Sequence, residues 1–264
     1  MIRSGPRSGS RVVAFAAGLL LVACSSAPTG TGGATSATEA AATPFPAAMH
    51  TDEPYEPAVD PGDFVAHVDN PYFPLVPGAR WVMEGEGESA GEVTTTEVTA
   101  ETKTILGVVC IVVRDEVTAD GELQEFTHDW YAQDSNGNVW YFGEETAEYE
   151  DGEVSSTEGS WEAGVDGAQP GIIMPAETVI GVTYRQEFYA GEAEDLAKVV
   201  ELGATADTPA GSYTDVLVTE DWTPLEPDVV ERKFYAPGIG LVMERQISGG
   251  SGVNRLVEFA DPAE

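Results

Sequence analysis

The sequence predicts an all-β fold: a single antiparallel β-barrel or half-barrel, a meander of about ten strands with irregular capping loops. Three observations carry that expectation. Short runs rich in Val, Thr, Tyr, Phe and Trp recur from Arg80 onward, spaced by roughly 8–14 residues with Gly, Asp, Asn and Pro between them. The turn-rich piece Asp134-Ser-Asn-Gly-Asn138 separates two aromatic runs, as a hairpin requires. Only Ala193 to Lys198 suggests helix, and only about one turn of it. A sheet of this many strands curls on itself rather than staying flat.

Taken in order, the segment 94–104 alternates Thr, Val and charge, and 108–117 is β-branched and apolar. Gln124 to Tyr131 and Asn138 to Phe142 flank the hairpin turn. Further strands are expected at 145–150, 153–161, 183–189, 197–206, 212–221, 230–236, 240–247 and 253–259. Inner-face candidates are Trp81, Val109, Ile111, Val113, Trp130, Trp140, Val199, Leu217, Phe234, Leu241 and Phe259. The stretch 159–175, which carries Trp161, Glu162, Asp166 and an Ile-Ile-Met patch, reads as a cap at one barrel end plugged by Trp161 and Met174.

The β domain, 79–264, follows three unlike segments. Arg3, Arg7 and Arg11 precede an apolar run from Val12 to Ala23, 12 residues long. That is too short to span a bilayer and suits a signal-peptide core over 1–23. Leu21-Val22-Ala23-Cys24 resembles the lipobox of bacterial lipoproteins, which implies cleavage before Cys24 and a diacylglycerol on its thiol. Several acyl chains at about 0.8 kcal/mol per buried CH2 anchor a protein firmly. Residues 24–50, rich in Ala, Thr, Gly and Ser, form a flexible linker. Residues 51–78 are a Pro-rich lead-in whose aromatics dock on the domain. The resulting address is extracytoplasmic, with the membrane as partner through Cys24.

Without residues 1–23 the chain carries 9 Lys+Arg against 46 Asp+Glu, a formal charge of −37. Such a surface repels nucleic acid, which needs clustered Lys and Arg. Cys110 lies in an apolar run and reads as a small buried hydrophobe, not a nucleophile.

Three functional readings stay open. The first is a non-enzymatic binder of an envelope ligand or partner, its mouth built by Trp130, Trp140, Trp161 and Trp222 with Glu162 and Asp166. The second is a Ca2+ site at Asp134, Asn136 and Asn138, which alternate around a Gly as loop ligands do, or at Glu162 and Asp166, although Asp and Asn are also plain turn formers. The third is a carboxylate-based hydrolase using Asp129 or Glu144 as acid or base. No nucleophile elbow, His-Glu-x-x-His or phosphate loop occurs, and no cofactor other than Ca2+ is implied. His128 reads as a structural strand residue.

The runs Asp129-Trp-Tyr-Ala-Gln-Asp, Asn138-Val-Trp-Tyr-Phe-Gly-Glu, Gly159-Ser-Trp-Glu-Ala-Gly-Val-Asp-Gly-Ala and Tyr235-Ala-Pro-Gly-Ile-Gly-Leu-Val resemble a group of secreted bacterial β-domain lipoproteins with no assigned activity. The resemblance covers roughly residues 70–259. It extends distantly to half-barrel envelope lipoproteins that cup an acyl chain, which implies a β cup and no particular catalytic residue.

Overall fold

A computed structural model describes residues 55–262. The signal peptide read over 1–23, Cys24 and the linker to residue 50 lie outside the described residues. The strands are β1 (Phe64–Val65), β2 (Arg80–Glu86), β3 (Glu92–Ile105), β4 (Val108–Ala119), β5 (Glu122–Asp134), β6 (Val139–Glu150), β7 (Glu153–Ser156) and β8 (Trp161–Glu162). They continue as β9 (Gln169–Met174), β10 (Thr183–Arg185), β11 (Glu187–Phe188), β12 (Leu196–Thr208), β13 (Gly211–Trp222), β14 (Val230–Ala236), β15 (Gly240–Ser248) and β16 (Val253–Ala260).

Every pairing between them is antiparallel. The sheet runs β10-β12-β13-β14-β15-β16-β2-β3-β4-β5-β6-β9-β11, an all-β barrel as the sequence predicts. Local chemistry sets the hairpins. At Asp120-Gly121 and Asp151-Gly152 both residues have left-handed φ, the two-residue turn that matches strand twist.

The two ends of that order, β10 and β11, are consecutive in the chain and separated only by Gln186. The barrel thus closes through one short segment. Residues 183–185 bond to β12 and residues 187–188 bond to β9. Gly171 on β9 permits the approach, because a Cβ there would lie 2.2 Å from the Gln186 carbonyl carbon.

Several expectations are corrected. The stretch 159–175 is not a cap. Its second half is β9, a wall strand beside β6, with Met174 fully buried against the register position of Val139. The lead-in closes that end instead. Asn70 anchors it by donating twice, its backbone N–H to Gln133 Oε1 at 2.9 Å and its Nδ2 to the Gly137 carbonyl at 2.9 Å. Phe73, Pro74 and Leu75 thereby face the interior. The piece 193–198 is not helical: Ala193 bridges Tyr189, and β12 starts at Leu196. The segment 145–150 continues the strand begun at Val139, and 153–161 yields strand at 153–156 and again only from Trp161.

Candidate functional site

Alternation along the strands, with a bulge in β6 between Tyr141 and Glu144, turns an unusual set of side chains inward. On β4 these are Val113, Asp115 and Val117; on β5, Glu125, Thr127, Asp129 and Tyr131; on β6, Tyr141 and Glu144. Together with residues of β2, β3, β14, β15 and the 183–188 segment they surround a cavity of about 310 Å³. Its floor is Phe73, Leu75, Trp81 and Leu241. Half-buried Glu92, Thr94 and Val117 mark the opposite, solvent-facing end.

Eight carboxyl side chains line this lumen: Glu92, Asp115, Glu125, Asp129, Glu144, Glu187, Asp195 and Glu244. Lys233 is the one Lys or Arg among the lining residues. It lies 3.6 Å from Asp221 and 3.9 Å from Glu244. Burial alone would lower its pKa, but these two carboxylates, with Tyr235 and Glu231, hold it well above the usual lysine range.

The carboxyls shift the other way. Burial, then mutual repulsion, pushes Asp129, Glu144 and Glu187 well above the usual carboxylate range. Burial raises Asp195 to about 6 and Glu125 to about 7. Asp129 and Glu144 are direct register partners. Asp129 Oδ1 accepts from the Tyr141 hydroxyl at 2.6 Å. Its Oδ2 is buried and, among the described residues, has no N–H or hydroxyl donor. The neighbouring carboxyl is Asp115, close enough to share a proton with it; Asp115 also accepts from the Thr96 hydroxyl.

The aromatic residues expected to form one mouth are not brought together. Trp130 points away from the lumen, since Asp129 and Tyr131 on either side of it line the cavity. It carries the Lys103 ammonium 3.2 Å above its ring, and Lys103 also pairs with Glu162 at 2.7 Å. Trp140 turns outward too, packing edge-on against Phe64. Trp222 follows Asp221, whose side chain contacts Lys233, and is half-buried on the other face. Asp166 is exposed in a turn. Trp161 alone reaches the lumen carboxylates: its Nε1 donates to Glu187 Oε2 at 2.9 Å, and its ring stands edge-on to Tyr141. Among the other inner-face candidates, Trp81, Val113 and Leu241 do line the lumen, whereas Val109 is 57% exposed.

Asp134 is a turn organiser. Its Oδ1 accepts from the backbone N–H groups of Asn136 and Asn138, both at 2.9 Å. Its Oδ2 accepts from Asn138 Nδ2 at 2.8 Å and Trp140 Nε1 at 3.0 Å. Asn138 Oδ1 is taken by the Ala176 N–H. Among the described residues no group of three or more His, Cys, Asp or Glu side chains is arranged to hold a metal ion. Cys110 is fully buried, and burial pushes its thiol up to about 12, as a small buried hydrophobe should be. His128 stands edge-on to Phe126 opposite Glu145, on the outward face.

No protein-family model matches the chain, and no curated protein does. Among solved structures, a protein from Bacteroides fragilis named as exported, with a YmcC-like fold, is similar at 14% identity with a TM-score of 0.43, over 72% of this chain and 99% of that one. A protein from Parabacteroides distasonis named as a lipoprotein is similar at 14% identity with a TM-score of 0.41, over 72% of this chain and 98% of that one. At TM-scores below one half neither likeness bears on the lumen.

Proposed function

We propose that this chain is a lipid-anchored, extracytoplasmic protein that binds a small ligand inside its barrel and does not transform it. The address rests on the arginine-flanked apolar leader ending at Leu21-Val22-Ala23-Cys24. The binding role rests on the hollow interior. Soluble domains fill their cores to the density of organic crystals, and a β-barrel that instead keeps about 310 Å³ open and lines it with polar groups departs from that rule at a cost. The ligand would enter past Glu92 and Val117 and stop at Phe73 and Leu75. Native mass spectrometry of the full-length protein isolated from its own membrane fraction tests this. A discrete non-covalent adduct of one small molecule per chain is expected; a bare polypeptide mass at every collision energy contradicts it.

Asp115 and Asp129 favour a second reading. Two carboxyls sharing one proton are the arrangement that lets one act as acid while the other acts as base. Turnover of glycan or ester substrates that disappears in Asp129→Asn would move the protein into that class.

A further inference from the structure

Charge inside the lumen is unevenly balanced. Lys233 serves Asp221 and Glu244, and its field reaches Glu187 and Asp195. Among the described residues no Lys or Arg pairs with Asp115, Glu125, Asp129 or Glu144. Of these, Asp129 is 5% exposed and lines the cavity, and among the described residues its buried Oδ2 has no N–H or hydroxyl donor, its neighbour being the Asp115 carboxyl. Beside it the rings of Tyr131 and Tyr141 stack at 4.8 Å, presenting aromatic surface to the same space. Buried carboxylates without a counter-charge, next to aromatic faces, are the two complements an alkylammonium group needs.

We propose that the lumen takes a small organic polycation, an alkyl polyamine, with one ammonium group against the Asp129–Glu144 pair and its alkyl chain along Tyr131 and Tyr141. The inference rests on the ligand-binding reading above and names the ligand's chemistry. A bare metal ion suits the space poorly, because among the described residues no three ligating side chains are arranged to hold one. A polyamine matches carboxyls spread along a lumen, and the acidic surface draws it in.

Binding should be linked to protons. The groups facing Asp129 are Asp115 on β4, Glu125 and Tyr131 on its own strand, Tyr141 and Glu144 on β6, and Glu187 on β11. All are acids, so an arriving cation lowers the carboxyl pKa values, protons leave, and affinity rises with pH.

Isothermal titration of the full-length protein with spermidine, at near-physiological salt and in two buffers of different ionisation enthalpy, tests the proposal; 1,8-octanediol serves as the neutral chain of equal length. The expected result is one spermidine per chain, proton release, and binding by the diol at least about tenfold weaker. Asp129→Asn and Glu144→Gln should each weaken spermidine by about tenfold, while Glu116→Gln on the outer face leaves it unchanged. Should a lumen variant fail to fold, proton release by the wild type still decides. Several spermidines per chain, insensitive to the lumen substitutions, would mean surface condensation and overturn the proposal. Diol binding as tight as spermidine overturns the cationic chemistry and leaves the lumen a binding site. No binding of either probe, with an adduct still present on the isolated protein, does the same. No binding and no adduct removes both readings.

Discussion

Asp129 and Glu144 stand directly opposite each other on β5 and β6, with both side chains turned into the lumen. Two carboxyls in that position repel when ionised, and like charges directly opposite across a ladder are destabilising even on a surface. Their presence inside a closed barrel is the feature that separates this domain from a packed one.

The first consequence concerns pH. Burial, then neighbouring acids, raises the Glu125 carboxyl to about 7 and that of Glu231 to about 9. Both exceed an unfolded glutamate value of about 4.3. The unfolded chain therefore ionises first as pH rises, and stability is lost between about 4.3 and the folded value. Melting temperature should fall steadily from mildly acidic pH to about 9, and Glu231→Gln should flatten the upper part of that decline. A melting temperature that climbs over this range would contradict the account.

Lys233→Met should destabilise the fold by about 3–5 kcal/mol, because it leaves buried Asp221 and half-buried Glu244 without their counter-charge. Urea unfolding at neutral pH reads the loss.

Gly171→Ala should cost about 2–4 kcal/mol. The added methyl would overlap the Gln186 backbone, where one segment closes the barrel. Hydrogen exchange should show faster opening along β9 and residues 183–188 than elsewhere.

The tryptophans should divide by direction. Trp130→Phe and Trp222→Phe leave ligand affinity unchanged, since both side chains point away from the lumen. Trp161→Phe frees Glu187 Oε2 of its donor and alters affinity. An equal loss in all three would restore a mouth built of tryptophan.

Asp134→Ala should cost about 2–4 kcal/mol through the four hydrogen bonds it removes from the hairpin. Added Ca2+ should leave the wild-type melting temperature unmoved, because a ligand that bound the native state would raise it.

These relationships were unequally legible in the sequence. The strands and hairpins were, because period-2 patterning and turn chemistry are local; the segment 230–236 matches β14 residue for residue. The inward face was not. Val113, Asp115 and Val117 alternate acid with apolar on the lumen side, so hydrophobicity does not mark the interior, and Trp130 and Trp140 read as inner-face residues although their neighbours Asp129 and Tyr141 line the lumen. Among so many acids Asp129 and Glu144 stood out only as acid–base candidates; their convergence depends on register, which no single strand encodes. Strand β9 escaped notice because Pro170 and Gly171 read as loop, whereas they lie where β9 meets the closing segment.

A crystal structure of the full-length protein purified from its own envelope, at a resolution that defines small molecules, tests the central claim most directly. The account predicts an open lumen holding density for one organic molecule beside Asp129, Glu144 and the Tyr131–Tyr141 pair. An interior collapsed onto its own side chains, or filled only by ordered water bridging the carboxyls, would contradict it.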